Sequence, residues 1–200
     1  MNRDTCICAK GYYGFNCQYF NSSKILNEMQ SVQLFNLVDK NSSWSLIYQA
    51  STDGFSSKIF HKKCNGILGT LVVIRAGLNE IFGGYTEADW PDNYQFKYDS
   101  NAFLFSLVNS HNLIIKMPII NPDYAIYTAD SHGPTFGNGD LTTETVSGVN
   151  AVDCSIGSSN LGSTFQLPNF LVYGTTSAQS FLAGSYEFFP IDIEVYMRNF

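Results

Sequence analysis

The chain contains 200 residues, of which 15% are aromatic and only 14% are charged, together with 16 glycines. This composition is typical of one well-packed, turn-rich β domain with a small appendage, and it argues against a disordered chain or a helical bundle. The net charge of −6 argues against nucleic-acid binding, because affinity for a phosphate backbone depends on clustered basic residues. No apolar run reaches about 18 residues and no apolar leader is visible, so neither a membrane span nor a signal peptide is predicted in this chain.

Residues 1–20 differ from the rest of the chain in their cysteine content. Cys6, Cys8 and Cys17 follow the pattern C-x-C, eight residues and a third cysteine, with glycine and tyrosine between them. The segment resembles the second half of an EGF-like module, and the resemblance implies a Cys8–Cys17 disulfide. It also implies that the chain is the C-terminal fragment of a longer extracellular protein, because the family pattern needs three further cysteines upstream. The alternative interpretation is a chance C-x-C in a cytosolic tail.

Two N-glycosylation sequons begin at Asn21 and Asn41, although such short motifs also arise by chance in a chain rich in asparagine and serine. Between them, residues 24–39 carry apolar side chains near helical spacing. This pattern predicts one or two short helices that lie against the β domain as a lid.

The stretch from residue 44 to residue 90 contains the clearest local signals. Apolar and polar residues alternate over 44–49, which predicts a half-buried strand. Apolar i,i+4 pairs predict a helix at about 55–64 with one apolar side. The segments TLVVIR at 70–75 and EIFGGYT at 80–86 are separated by a short turn and predict a hairpin.

The rest of the chain is predicted to be β structure interrupted by polar turns. The predicted strands cover 102–108, 113–117, 124–127, 166–173 and 191–196. The first two form a hairpin, because a short polar turn separates them. Residues 132–140 are too rich in glycine and proline for regular structure and are predicted to form a long loop. Pro168 places the fourth strand at an edge or a bulge.

Several separately spaced segments resemble the TLDc domain family. In the order of the family they are DGFSSKIFHKKC, TLVVI, FGGYT followed by Trp90, NAFLFSLVN, AIY at 125–127, GPTFGNGDL, SSNLGSTFQLP and FLAGSYEFFPIDIEVY. The resemblance implies an α+β, mainly β fold: a two-sheet antiparallel β-sandwich with two or three flanking helices, plus the small disulfide-bonded N-terminal fragment. The predicted domains are a partial EGF-like module at 1–20 and a TLDc domain at 23–196.

The resemblance implies a non-enzymatic interaction module with a protein partner of unknown identity. TLDc proteins have no characteristic cofactor and no established catalytic mechanism. The alternative is protection against oxidative damage, through association with the vacuolar proton-pumping ATPase or through weak thiol chemistry at Cys64. An EGF-like neighbour belongs in an oxidising compartment, so an extracellular or cell-surface location is expected, with a cytoplasmic location as the alternative.

Residue spacing predicts no catalytic, cofactor or metal site. His61, His111 and His132 are scattered without metal-ligand spacing, and Cys64 and Cys154 lack a C-x-x-C partner. His61 and Cys64, three residues apart on the predicted helix, could form a thiolate–imidazole pair. The favoured interpretation is that Cys64 is a small buried side chain at the end of that helix.

Two glycine-rich segments are not phosphate-binding loops, because neither lies between a strand and a helix with Lys-Ser/Thr after it. Gly83-Gly84 lies within a predicted strand, which indicates a bulge or a close approach of another backbone. The second segment, 137–139, belongs to the predicted long loop.

The candidate interaction surface combines a basic helix face with the long loop. Its residues are Lys58, Lys62, Lys63, His132, Asn138 and Asp140. Three lysines on a helix are equally typical of a solvated surface, so this assignment is a hypothesis about contact rather than chemistry.

Overall fold

The structure, a computed structural model, describes residues 20, 22–38, 42–77, 79–146 and 154–199. Within these residues the fold is mainly β, with eleven strands, four α-helices and one 3-10 helix. No helix in these ranges is long and apolar enough to cross a bilayer. Apart from Phe20, the predicted EGF-like module with its Cys8–Cys17 disulfide lies outside the described residues.

The helices are α1 (Glu28–Leu37), α2 (Ala50–Asp53), α3 (Ser57–Cys64) and α4 (Thr176–Gln179), and the 3-10 helix covers Pro122–Tyr124. The strands are β1 (Ser43–Gln49), β2 (Thr70–Ala76), β3 (Glu80–Thr86), β4 (Gln95–Lys97), β5 (Phe103–Val108), β6 (Ile115–Pro118), β7 (Ile126–Thr128), β8 (Thr142–Val146), β9 (Cys154–Ser158), β10 (Glu187–Phe188) and β11 (Pro190–Asn199). The helix predicted at 55–64 and the strands predicted at 44–49, 70–75, 80–86, 102–108 and 191–196 are confirmed, with small shifts at their ends.

The described strands form three antiparallel sheets. The largest has six strands in the order β1-β11-β2-β3-β5-β6, while β10-β9-β8 and β4-β7 form two small sheets. The predicted β5–β6 hairpin is confirmed, with Phe103 opposite Pro118. The predicted packing of two sheets face to face stays a prediction.

The six-stranded sheet is buried on both faces. On one face, called the α3 side, Val72 belongs to a core that includes Phe60 of α3. On the other face, called the α1 side, Leu71 belongs to a core that includes Leu34 of α1. Because successive side chains of a strand point to opposite faces, β2 supplies both cores. Burial on both faces explains why β2 is a continuous apolar run rather than an alternating one.

Gly83 and Gly84 allow close packing at the centre of this sheet. A Cβ atom on Gly83 would collide with the carbonyl oxygen of Val72 on the neighbouring strand. A Cβ atom on Gly84 would lie 2.8 Å from the ring of Phe136 and 2.9 Å from Leu104. The β2–β3 register is regular through both glycines. They therefore mark a close approach and not a bulge.

Helix α1 lies within the segment where a helix was predicted. Asn27 and Gln30 form a reciprocal cap, in which each backbone N–H donates to the other side chain at 2.9 Å. Such a cap satisfies two N–H groups that the first turn of a helix leaves without partners. Leu34 and Phe35 are buried, so the helix covers the α1 side of the sheet.

Helix α3 is fixed at both ends. The backbone N–H of Ser57 donates to Thr145 Oγ1 at 2.6 Å, and the Ser57 hydroxyl donates to the carbonyl oxygen of Asp130 at 2.6 Å. Two residues beyond Cys64, Gly66 has a φ of +73°, a conformation that glycine adopts without strain. The two Ser57 contacts hold the start of α3 against Asp130 and Thr145.

Two predicted strands are wrong in whole or in part. Residues 166–173 form turns, for example with the Leu171 N–H donating to the Pro168 carbonyl oxygen at 2.9 Å. Their aromatic and β-branched side chains favour a strand, but Pro168 removes a donor. The pairing with β6 is limited to the start of the segment, where the Gln166 N–H donates to the Pro118 carbonyl oxygen at 2.8 Å. The strand predicted at 124–127 begins only at Ile126, because Pro122 starts the 3-10 helix.

Strand β11 carries two buried carboxylates, although alternation of apolar and polar residues usually indicates an exposed polar face. Gln49 Nε2 donates to both of them, at 3.1 Å to Asp192 Oδ2 and 3.1 Å to Glu194 Oε1. Glu194 also accepts from the Ser23 hydroxyl and the Lys24 backbone N–H, each at 2.6 Å. The Glu194 carboxylate thereby attaches the segment before α1 to β11.

The Glu194 carboxyl gives a prediction about pH dependence. Burial raises its pKa above the ordinary value of 4.5, although hydrogen bonds from Ser23, Lys24 and Tyr196 oppose the shift. A group whose pKa is higher in the folded than in the unfolded state makes its full contribution to the free energy of unfolding below the unfolded-state pKa. That contribution is lost as the pH rises through the folded-state pKa. We therefore expect Glu194→Gln to gain stability relative to wild type between pH 5 and pH 8, measured by urea unfolding at both values. If the stability difference between Glu194→Gln and wild type were the same at both pH values, or less favourable to the variant at pH 8, the raised pKa of Glu194 would be contradicted.

Candidate interaction surface

An open groove lies along the exposed side of α3. Its volume is about 400 Å³, and it is lined by Lys58, His61, Lys62, Asn65, Asp92 and Asp130. Two of the predicted lysines, Lys58 and Lys62, therefore share one groove with two carboxylates. The third, Lys63, donates instead to Asp53 Oδ1 at 3.0 Å. We call this concavity the α3 groove.

His61 forms the floor of the groove and is a structural connector. Its Nε2 lies 2.8 Å from the Ala129 carbonyl oxygen and 3.0 Å from that of His132, so this nitrogen must carry a hydrogen. Its Nδ1 lies 2.7 Å from the Asn65 amide and 3.0 Å from the Trp90 carbonyl oxygen. Both ring nitrogens have partners other than Cys64, so the thiolate–imidazole pair considered above is not formed.

Beside the groove, the small β4–β7 sheet exposes a cluster of aromatic rings. Phe96 contacts two of them, with ring centroids 4.8 Å from Tyr124 and 5.0 Å from Tyr127. Tyr94 and Tyr98 flank the cluster with 61% and 65% of their surfaces exposed. We call these five residues the aromatic sheet.

The sequence reasoning missed the aromatic sheet, although a signal was present. Tyr94, Phe96 and Tyr98 recur at every second position, a spacing that predicts a strand with one aromatic face, although β4 contains only Phe96 of the three. An aromatic face is usually assigned to the core, so the pattern alone does not predict exposure.

The aromatic sheet and the α3 groove are continuous. The Tyr94 hydroxyl donates to Asp130, which lines the groove. The ring of Tyr127 lies 5.3 Å from that of His132, whose carbonyl oxygen accepts from His61. His132 Nε2 also lies 3.2 Å from Glu144 Oε1, an ion pair when the imidazole is protonated. The predicted helix face and one predicted loop residue thus meet at a single surface.

The TLDc domain family model matches residues 19–198 of the chain. The chain belongs to the TLDc family. Membership suggests a non-enzymatic interaction domain or a domain of the oxidative-stress response, and it fits the mainly β fold described above. No curated protein matches the chain.

The remaining predicted surface residues of the TLDc domain lie elsewhere. Asn138 is exposed, and its backbone N–H donates to Thr164 Oγ1 at 3.0 Å. Asp140 is 0% exposed, so its side chain is not available to a partner and its proposed place in the surface requires correction. The physical reason is that the carboxylate accepts the backbone N–H groups of residues 162–165 at 2.8–3.3 Å.

Cys64 of the TLDc domain is enclosed and free of any disulfide. It is 0% exposed, and burial raises the pKa of its thiol to about 12. The neighbouring Lys63 lowers this pKa and Asp53 raises it, both by less than burial does. Since the thiolate is the reactive species, the burial opposes thiol chemistry at this position.

We expect Cys64 to be alkylated at least 100-fold more slowly in the native protein than in urea, because the thiol is both inaccessible and protonated. The measurement is iodoacetamide labelling at pH 8 followed by peptide mapping, which resolves Cys64 from the other four cysteines. The same reaction in urea is the control. Labelling of native Cys64 at the rate of the unfolded thiol would contradict the prediction.

Groups of three or more metal-ligating side chains do not occur within the described ranges. The prediction that the TLDc domain has no metal or cofactor stays a prediction, since residues outside those ranges could contribute.

Proposed function

We propose that this TLDc domain is a non-enzymatic interaction module whose partner-binding surface is the aromatic sheet together with the α3 groove. The observation that supports the proposal is the contact of Phe96 with Tyr124 and Tyr127 at the β4–β7 sheet, together with the exposed Tyr94 and Tyr98 on either side of β4 in the chain. Exposed apolar clusters with a polar rim are typical of protein–protein contact sites, and aromatic residues are enriched there.

The rim charges define the kind of partner this surface fits. Lys58 and Lys62 line the groove together with Asp92 and Asp130, so neither sign dominates. At the aromatic sheet, Lys97 forms an ion pair with Asp89 at 2.8 Å, which leaves the rings as the dominant feature. The surface therefore fits a protein that inserts an apolar or cationic side chain among the rings, within a rim of mixed charge.

The proposal is tested by photo-crosslinking from the surface itself. Benzoylphenylalanine is placed at Tyr98 and, as a control, at Phe189, which is 70% exposed and outside this surface. A partner crosslinked from position 98 and not from 189 is then purified. Its affinity is measured with a Phe96→Ala, Tyr98→Ser variant and a Phe189→Ser control.

We expect the double variant to bind at least tenfold more weakly and the control to bind as wild type does. Equal affinity of the two variants would contradict the proposed surface. Efficient crosslinking from Phe189 alone would contradict it as well, because it would place the partner on another face.

We also propose that the chain acts outside the cytosol, following an EGF-like fragment. The spacing of Cys6, Cys8 and Cys17 and the sequons at Asn21 and Asn41 support this location. Peptide mapping of secreted protein without reduction tests it: a Cys8–Cys17 crosslink is expected. Alkylation of both cysteines in secreted material would contradict the EGF-like assignment and leave the proposed binding surface untouched.

A further inference from the structure

An exposed apolar patch lies on the segment between β9 and α4, next to the turn that joins β5 and β6. Its members are Phe170, Val172 and Tyr173, and each exposes more than half of its surface. The Phe170 ring centroid lies 5.4 Å from that of His111, which belongs to the β5–β6 turn. We call the three exposed residues the apolar tip.

Two successive turns fix the backbone of the apolar tip. The Leu171 N–H donates to the Pro168 carbonyl oxygen at 2.9 Å. The Thr175 N–H and hydroxyl both donate to the Val172 carbonyl oxygen, at 3.2 Å and 2.7 Å. Between the exposed side chains, Leu171 is buried in the α3-side core and anchors the segment. The tip is therefore preorganised, and little conformational entropy is lost when it makes a contact.

The sequence on either side of the apolar tip lacks charged side chains. Residues 154–186 contain no Asp, Glu, Lys, Arg or His, although 14% of the whole chain is charged. Residues 100–115, which include the adjoining β5–β6 turn, contain His111 as their sole titratable residue. The aromatic sheet differs, because the ion pair between Lys97 and Asp89 lies at its edge.

This distribution of charge favours lipid over protein as the occupant of the apolar tip. A protein contact usually surrounds its apolar centre with a polar rim, as the mixed charges do at the α3 groove. An uncharged segment can instead enter a medium of low dielectric constant without leaving a charge desolvated and unpaired.

We propose that the apolar tip docks on the surface of a zwitterionic lipid bilayer. Phe170 and Val172 would enter the boundary between headgroups and acyl chains, and Tyr173 would lie at the level of the headgroups, where tyrosine is enriched. Anionic membranes attract clusters of basic residues, whereas residues 154–186 have none and the net charge of the chain is −6. The lipid headgroup that fits is therefore phosphatidylcholine.

The test measures flotation of the full 200-residue chain with phosphatidylcholine vesicles. We expect wild-type protein to float with the vesicles equally well at low and high salt, because apolar contact is not screened by ions. Adding phosphatidylserine to the vesicles should weaken binding. A Phe170→Trp variant is expected to show more fluorescence quenching by lipids brominated on their acyl chains than wild type does.

Two variants of the apolar tip are expected to lower the vesicle partition coefficient by about tenfold or more. The first combines Phe170→Ser with Val172→Ser and removes apolar surface. The second, Val172→Asp, brings a charge into the uncharged segment. Thermal melting establishes that each variant is folded. Phe189→Ser is the matched control, because Phe189 is also an exposed apolar residue, and it should bind vesicles as wild type does.

Four results would each overturn the proposal: no flotation of wild-type protein, unchanged binding in Val172→Asp, no added quenching in Phe170→Trp, or tighter binding to phosphatidylserine. Dimerisation of wild-type protein without lipid, abolished in the double variant, would assign the tip to a second copy of the chain and overturn it as well. The apolar tip shares no residue with the aromatic sheet or the α3 groove, so these results leave the proposed protein-binding surface untouched.

Discussion

Asp140→Ala is expected to lower the free energy of unfolding by about 4 kcal/mol, since it leaves several buried N–H groups without an acceptor. Asp140 Oδ1 accepts from Gly162 at 2.8 Å and Ser163 at 3.1 Å, and Oδ2 accepts from Thr164 at 3.1 Å. The Ser163 hydroxyl also donates to Oδ2. Urea unfolding followed by circular dichroism measures the loss.

Asp123→Ala is the matched control, because Asp123 is an exposed aspartate in the 3-10 helix. We expect it to change stability by less than about 0.5 kcal/mol. Asp140→Asn should be intermediate, at about 2 kcal/mol, since the amide keeps one acceptor but presents a donor to the other N–H groups. If Asp140→Ala were as stable as the control, the carboxylate would not hold this loop together.

Gly83→Ala is expected to cost about 3 kcal/mol or more, because the methyl group would overlap the backbone of the central strand. The added Cβ atom would collide with the Val72 carbonyl oxygen and approach Phe105 Cζ to 3.0 Å. Backbone cannot move aside here without breaking the β2–β3 ladder. The measurement is again urea unfolding, or the yield of soluble protein if the variant does not fold.

Gly77→Ala separates this steric effect from the general effect of replacing glycine. Its Cβ atom would meet only Glu80 Oε2, at 3.7 Å, an ordinary contact. We expect a change within about 1 kcal/mol, since alanine also restricts the unfolded chain. Similar losses for the two variants would show that backbone freedom, not close packing, explains the glycine at 83.

The elements that the sequence predicts correctly are those whose signals are local. The hairpin of β2 and β3 is predicted by a β-branched run, a short turn and a second run, all within residues 70–86. Helix α3 follows from apolar pairs four residues apart. Such periodicities reflect the geometry of one element and need no knowledge of what packs against it.

The errors arise where tertiary contacts decide. Asp140 lies in a polar, glycine-rich loop and looks exposed, but residues 162–165 fold over it and supply N–H groups. Residues 166–173 have strand-forming side chains, but the segment leaves β6 after the hydrogen bond from the Gln166 N–H to the Pro118 carbonyl oxygen. Phe96 lies in an alternating pattern that is typical of core residues, yet it belongs to a small two-stranded sheet and is partly exposed. In each case the deciding partner is distant in sequence.

Strand β11 has a consequence for the order of events during synthesis. It lies between β1 and β2 and is hydrogen-bonded to both, yet it follows them in the chain by more than a hundred residues. A ribosome releases the chain from the N-terminus at roughly 5–20 residues per second. Until residues 190–199 emerge, β1 has no partner strand and β2 has one unpaired apolar edge. The two edges therefore stay open to misassociation until β11 has been synthesised, and only then can this side of the sheet close.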